Sequence, residues 1–222
     1  ELPVTSHILS ITYQQAYLDA FEQGYTDVIN TTITSVGSNM FEAAVFGKQQ
    51  FYKEHPEAEG KMNITVLDSG TYTLGYGYPI VEASKMIKAG RSAEEITAWL
   101  DDFYATVEII FAAYSLEYAR KSGRIPAASA FVGDVLGLRP IISIVDGVTT
   151  VVEKVRGDRN VVPHIVDYAY GRAVDKKAPT AVICGSGKTF TRRSPKNSDT
   201  RRRRATSRER RSRSTRARRS RA

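Results

Sequence analysis

Apolar positions along residues 1–185 fall into strand-like runs and helix-like stripes that take turns. A largely polar stretch from Thr12 to Gln23 has helical character, and the apolar run Val28–Ile33 follows it as a buried strand. Ser38 or Asn39 can cap the next helix, which runs to about Tyr52, because a short side-chain oxygen accepts from the free amides of a first turn. Asn63–Leu67 reads as a second buried strand and Gly75–Lys88 as a helix stopped by Gly90. Ser92 and Glu95 form a capping box, and the helix they open sets Ile96, Trp99, Leu100 and Phe103 on one face. Trp99 is therefore expected in the core rather than on a binding surface.

Glu108–Tyr114 is the next strand, after which Pro126 at a first helical position and Gly137 just past the end bracket a short helix. Ile141–Val145 and Thr149–Lys154 flank Asp146-Gly147, a dipeptide suited to a type I′ hairpin turn because both central residues must take positive φ. Asp158 can cap a helix to about Ala173, and Thr180–Cys184 is a last apolar strand. The rhythm predicts an α/β fold in two units joined near residues 111–116, the first mainly parallel and the second mixed.

An apolar share of 41% over 222 residues is enough for an ordinary globular core. No apolar run reaches the 18 or so residues that a membrane span needs, and no basic flank with an apolar stretch opens the chain, so neither membrane insertion nor export is expected. The one cysteine, Cys184, has no disulfide or thiolate partner and suits a reducing cytoplasm; as the end of an apolar run it reads as structural. The net charge of +8 divides sharply. Residues 1–185 hold 16 Lys+Arg against 22 Asp+Glu, net −6, and residues 186–222 hold 16 against 2, net +14. Phe190 is the only large apolar side chain after Gly185, so that tail cannot offset its ordering entropy and is expected to be disordered. Nucleic acid would meet it only nonspecifically, through phosphates, since no interleaved aromatics or folded reader accompany the arginines.

The usual catalytic signatures are missing. Gly185-Ser186-Gly187-Lys188-Thr189 follows a strand as a phosphate loop does, but Val182 stands where its first glycine belongs and no helix follows. No Gly-x-Ser-x-Gly elbow exists, and His7, His55 and His164 have no spacing that pairs them as metal ligands or as base and nucleophile. Glu94-Glu95 and Asp101-Asp102 fall at helix starts or on exposed faces. Three hydroxyl- and glycine-rich clusters remain at strand-to-helix junctions: Thr5-Ser6, Thr34 to Asn39, and Asp68 to Gly77. Ligands of α/β sheets gather beyond the carboxyl ends of strands, where hydroxyls and helix amides can meet an anion, although Ser and Asn there also serve as plain helix caps.

The stretch Ser115-Leu116-Glu117-Tyr118-Ala119-Arg120-Lys121-Ser122-Gly123-Arg124-Ile125 precedes Gly133, Leu136 and Leu138-Arg139-Pro140-Ile141-Ile142. With Asp146-Gly147 and Lys154-Val155-Arg156-Gly157 it resembles the central signature of the DegV family. Upstream, Thr5-Ser6, the serine-bearing loop from Ile33 to Phe41, and Leu67-Asp68-Ser69 with Gly75 and Gly77 resemble further family motifs, so the likeness runs from about Leu2 to Gly185. Where the family loop has Ser-Gly-Thr-Tyr, this chain has Ser38-Asn39-Met40-Phe41, which keeps the serine and loses the glycine and threonine.

The resemblance implies a two-domain DegV-like α/β fold, mainly parallel with flanking helices over residues 1–112, a smaller mixed α/β domain over 113–185, and the tail 186–222. It implies a long-chain fatty acid held between the domains, no cofactor, no metal and no catalysis, with the carboxylate presented to a fatty-acid kinase in the cytoplasm. Thr5 and Ser38 would hydrogen-bond that carboxylate, Arg124 would belong to the polar network behind it, and Ser6, Ser35 and Asn39 would complete the site. The family's opening strand is expected to be missing from the first sheet. The likeness is expected to end at Gly185, where the unperiodic Arg/Ser/Thr run reads as a shifted reading frame or, alternatively, a natural basic arm.

Overall fold

Two parallel strands, β1 (Asp27–Thr32) and β2 (Asn63–Asp68), are paired in register from Asp27 opposite Asn63 to Thr32 opposite Asp68. The computed structural model describes residues 6–113, 116–123, 125 and 137–173. Both faces of this pair are covered by helices, as parallel strands require, since each buries its two sides. Val28, Ile64 and Val66 pack with α1 (Ser10–Glu22) and α2 (Met40–Glu54) around Tyr13, Tyr17, Ala44 and Phe51. Ile29 and Leu67 face the other way, into α3 (Leu74–Lys88) and α4 (Ala93–Tyr104), around Ala83, Ile96, Leu100 and Tyr104. Phe51 is wholly buried and in ring contact with Tyr17, Phe21, Tyr52 and His55, so its truncation to alanine would remove about 3–5 kcal/mol.

Residue chemistry accounts for the helix ends. Ser92 accepts from the Glu95 amide at 3.2 Å, and the Glu95 carboxylate accepts from the Ser92 amide at 3.1 Å, the reciprocal cap expected from the sequence. Lys48 of α2 reaches β2, where its ammonium donates to the Ile64 carbonyl at 2.6 Å. That carbonyl is on the edge of β2 turned away from β1, because Asn63 and Ser69, one residue before and five after, donate to β1 or its flanks. A half-buried cation on a strand edge discourages pairing with foreign strands.

The second sheet is antiparallel among the described residues, with order β3 (Ile109–Ala112), β4 (Leu138–Val145), β5 (Val148–Arg156). Its turn is the expected one: Asp146 has φ 51° and Gly147 φ 75°, the type I′ signs. A bulge adds Val152 to β5, since Ile141 pairs with Glu153 and Ile142 with Val151. Leu116, at the head of α5 (Glu117–Ser122), packs on one face with Phe111 and Ile142. Val161 of α6 (Asp158–Arg172) packs on the other with Ile141 and Val155. Residues up to Val166 belong to one compact unit, and the end of α6 to another.

Several boundaries differ from the pattern-based expectation. α1 begins at Ser10 rather than Thr12, and β3 is shorter than Glu108–Tyr114. β4 starts at Leu138 and so contains Pro140, a residue that cannot donate to a ladder. The strand tolerates it because β3 pairs only with Ile141 to Ile144, which leaves Pro140 past the end of β3. Asp158 is the first residue of α6 rather than its cap, and its carboxylate accepts from Arg139 Nε at 2.7 Å. The helix expected between Pro126 and Gly137 and the strand Thr180–Cys184 lie outside the described residues, as does the tail.

Candidate functional site

Because β1 and β2 run in parallel, the loops leaving their carboxyl ends, residues 33–39 and 69–73, emerge side by side. Backbone bonds continue the pairing into them: Ser69 N–H donates to the Thr32 carbonyl at 3.2 Å and Thr34 N–H to the Thr71 carbonyl at 3.0 Å. Asp68, the last residue of β2, joins the two loops. Its carboxylate accepts from the Ser35 hydroxyl at 2.5 Å, from the Ser35 amide at 3.2 Å and from the Gly70 amide at 3.0 Å. Gly37 lies against Tyr72, and a Cβ there would stand 2.1 Å from the Tyr72 hydroxyl oxygen.

The hairpin turn of the second sheet closes on the same place. A Cβ on Gly147 would stand 2.2 Å from Thr34 Oγ1 and 3.0 Å from Val36 Cβ, and one on Gly70 would stand 3.7 Å from Asp146 Cα. Polar groups are buried here: Thr32, Thr34, Ser69 and Thr71 are nearly inaccessible, and Thr71 Oγ1 has no hydrogen-bond partner among the described residues. Thr73, which precedes α3, holds φ 49° and ψ −128° without a side-chain cap bond. A β-branched residue in that region is strained by roughly 1–3 kcal/mol, a feature that clusters at ligand sites.

The structure brings three of the six anticipated binding residues together. Ser35 and Ser38 are half-buried and Asn39 exposed, all on the loop that opens α2. The Ser38 hydroxyl oxygen accepts from the Met40 amide at 3.3 Å, while Asn39 holds the cap position without a side-chain cap bond. Ser6 is exposed on the lead into α1; Thr5 and Arg124 lie outside the described residues. Asp68, Thr71 and Thr73 belong to the Asp68 to Gly77 cluster noted in the sequence but are not among the six anticipated binding residues. The Asp68-Ser69 pair is a visible motif, but its partner Ser35 is 33 residues away, beyond any local pattern.

The described side chains in residues 33–39, 68–73 and 146–147 include two carboxylates, Asp68 and Asp146, and no cation. What this arrangement offers an anion is hydroxyl and amide donors at the start of α2, in the positive field of a helix N-terminus. Elsewhere, Lys85 is raised by its hydrogen bond and charge pairing with Glu82, and Glu117 is lowered by Lys121, ordinary exposed helix pairs. His55 is stacked on Phe51 and bonded to Glu57, and His164 meets Glu153 at 2.5 Å, so both have structural partners. An open depression of about 310 Å³ lies at the far end of α3, lined by Glu82, Lys85, Met86, Ala89, Arg91 and Trp99. Trp99 thus packs on Phe103 as expected but is only half-buried. Among the described residues no three His, Cys, Asp or Glu side chains gather as metal ligands, and no helix is long and apolar enough to cross a membrane.

Helices on both faces of parallel strands, with hydroxyl-rich loops at the strands' carboxyl ends, define an α/β fold, and it is at such strand ends that α/β sheets in general gather ligands. Residues 1–206 match the family model described as "Uncharacterised protein, DegV family", and the chain belongs to that family. The matched span passes Gly185, where the likeness is expected to end from the motifs alone. A DegV domain-containing protein from Caldanaerobacter subterraneus is 27% identical over 175 residues, 79% of this chain and 59% of that protein. Among solved structures, a fat acid (stearic acid)-binding protein from Eubacterium ventriosum is 27% identical with a TM-score of 0.68, covering 77% of this chain and 57% of that one. The Streptococcus pneumoniae fatty acid kinase (Fak) B3 protein loaded with linoleic acid shares the fold, with a TM-score of 0.65 at 20% identity over 77% of this chain and 58% of that one. The chain therefore spans less than two thirds of the length of these relatives.

Proposed function

We propose that this chain holds a long-chain fatty acid, without catalysing any reaction on it, and that the carboxylate is met at the loop carrying Ser35, Ser38 and Asn39. Membership of the DegV family and likeness to the stearic acid-binding protein support the ligand class. The observation that carries the place is the pair of parallel-strand loops, locked by Asp68, that presents Ser38 at the start of α2. Each methylene buried contributes about 0.8 kcal/mol, so the acyl chain supplies affinity while a few neutral donors fix the head group. Thr5, Ser6 and Arg124 complete the proposed site by family resemblance, Arg124 supplying the cation that the described loops lack.

Handing the carboxylate to a fatty-acid kinase in the cytoplasm is the partner step of the same proposal. Its support is the family resemblance and the name of the Streptococcus pneumoniae protein that shares the fold. No cofactor enters this scheme. Native mass spectrometry with lipid extraction tests it, on the full chain purified at high salt and on a version ending at Gly185. A fatty acid at one-to-one stoichiometry, bound more weakly in Ser38→Ala, is the expected result, and a folded chain that carries no lipid sinks the proposal.

A further inference from the structure

Ser35 and Ser38 sit three residues apart on one loop, yet their hydroxyl protons are placed differently. A hydroxyl has one proton to give and two lone pairs to offer. The Ser35 proton goes to Asp68, because an ionised carboxylate only accepts, and the 2.5 Å contact between Ser35 Oγ and Asp68 Oδ2 therefore consumes it. A ligand carboxylate is also an acceptor and would meet only lone pairs at Ser35. Ser38 is the converse case: its oxygen accepts from the Met40 amide at 3.3 Å, which leaves its proton to be given elsewhere.

Asp68 has a further consequence for the loop. Oδ1 takes the Ser35 amide at 3.2 Å and the Gly70 amide at 3.0 Å, so one side chain holds a backbone group from each loop. The loop 33–39 is thereby fixed at its start by Asp68 and at its end by α2, and Ser38 lies between the two anchors. We infer that Asp68 is a positioning residue which, through Ser35, sets Ser38 for the head group of a fatty carboxylate, and that Ser35 itself does not touch the ligand. The inference rests on the carrier reading given above.

The test compares palmitate with hexadecanol, ligands that share a chain and differ in the head group, by competition in native mass spectrometry on the full-length protein. Wild type prefers the acid. Ser35→Ala and Asp68→Asn each reduce that preference by about threefold to tenfold, the effect of one disturbed hydrogen bond. Together they do no more than either alone, and Ser35→Thr, which keeps the hydroxyl, restores it. Ser38→Ala abolishes the preference, and adding Ser35→Ala to it changes nothing further. Hydrogen exchange at residues 33–39 quickens in Asp68→Asn and Ser35→Ala at unchanged melting temperature. A full acid preference in Asp68→Asn overturns the inference, and so does a preference that survives Ser38→Ala and then falls with Ser35→Ala. A wild-type chain that binds neither ligand, or both alike, instead removes the carrier reading and this inference with it.

Discussion

Gly147, at the tip of the β4–β5 hairpin, lies so close to Thr34 in the loop that follows β1 that a Cβ on the glycine would stand 2.2 Å from Thr34 Oγ1. The contact joins two segments more than a hundred residues apart in sequence and seats the hairpin turn on the loops of the candidate site.

Replacing Gly147 with alanine meets both the φ of 75° and the crowding by Thr34 and Val36. The expected loss is about 1–3 kcal/mol, read as a lower urea midpoint at unchanged m-value. Thr34→Ala in the same chain should recover part of it by removing the nearest atom. A Gly147→Ala chain as stable as wild type would show that the turn is not seated there.

Thr73→Gly should raise stability. Release of about 1–3 kcal/mol of strain outweighs the ~0.5–1 kcal/mol entropy penalty of glycine, and no cap bond is lost because the Thr73 side chain makes none. A higher melting temperature is the expected readout, and a fall would mean that the threonine side chain contributes packing beyond its backbone strain.

The reciprocal cap of α4 gives a simpler test. Ser92→Ala should remove about 1 kcal/mol, whereas Ser92→Asp should be nearly neutral, since the aspartate oxygen can accept the same Glu95 amide. Thermal unfolding of the two variants side by side separates loss of the cap from loss of the hydroxyl itself.

Alkaline pH should weaken the fold through Tyr104, whose hydroxyl is pushed up to about 12 by burial. Its unfolded counterpart ionises near pH 10, so the folded state retains a proton that the unfolded state has lost. The stability contributed is present below pH 10 and declines as pH rises from 10 towards 12. Burial also raises Tyr13, Tyr17 and Tyr52. Absorbance near 295 nm should therefore show an early exposed set and a late set that ionises with unfolding, and Tyr104→Phe should move the late step to higher pH. A single titration of all tyrosines near pH 10 would contradict this.

What could be read in advance follows the range of each interaction. Ser92 with Glu95 and Asp146 with Gly147 are short-range arrangements, and both are legible as residue pairs. β1 and β2 are legible as short runs, Val28–Ile33 and Asn63–Leu67, because a parallel strand buries both of its faces. Pro140 misleads a local reading, since a proline argues against a strand until it is known where β3 ends. Trp99 is half-buried, on the edge of its core and lining the open depression beside α3, and helical spacing alone does not show that. At the site, the hydroxyl-rich loops are visible as sequence, but which hydroxyl is already engaged is not. Ser35 and Ser38 look alike until Asp68 is placed beside one of them.

The two sheets also differ in how they must assemble. β4 and β5 meet over a two-residue turn, an event of about 1–10 μs. β1 and β2 cannot pair until the whole of α2 has crossed between them, so the chain must close a long loop before any of those bonds forms. Seating the hairpin tip on Thr34 needs both, which makes the site loops a late arrival on the folding route. A substitution there, at Gly37, should accordingly speed unfolding while leaving the refolding rate almost unchanged.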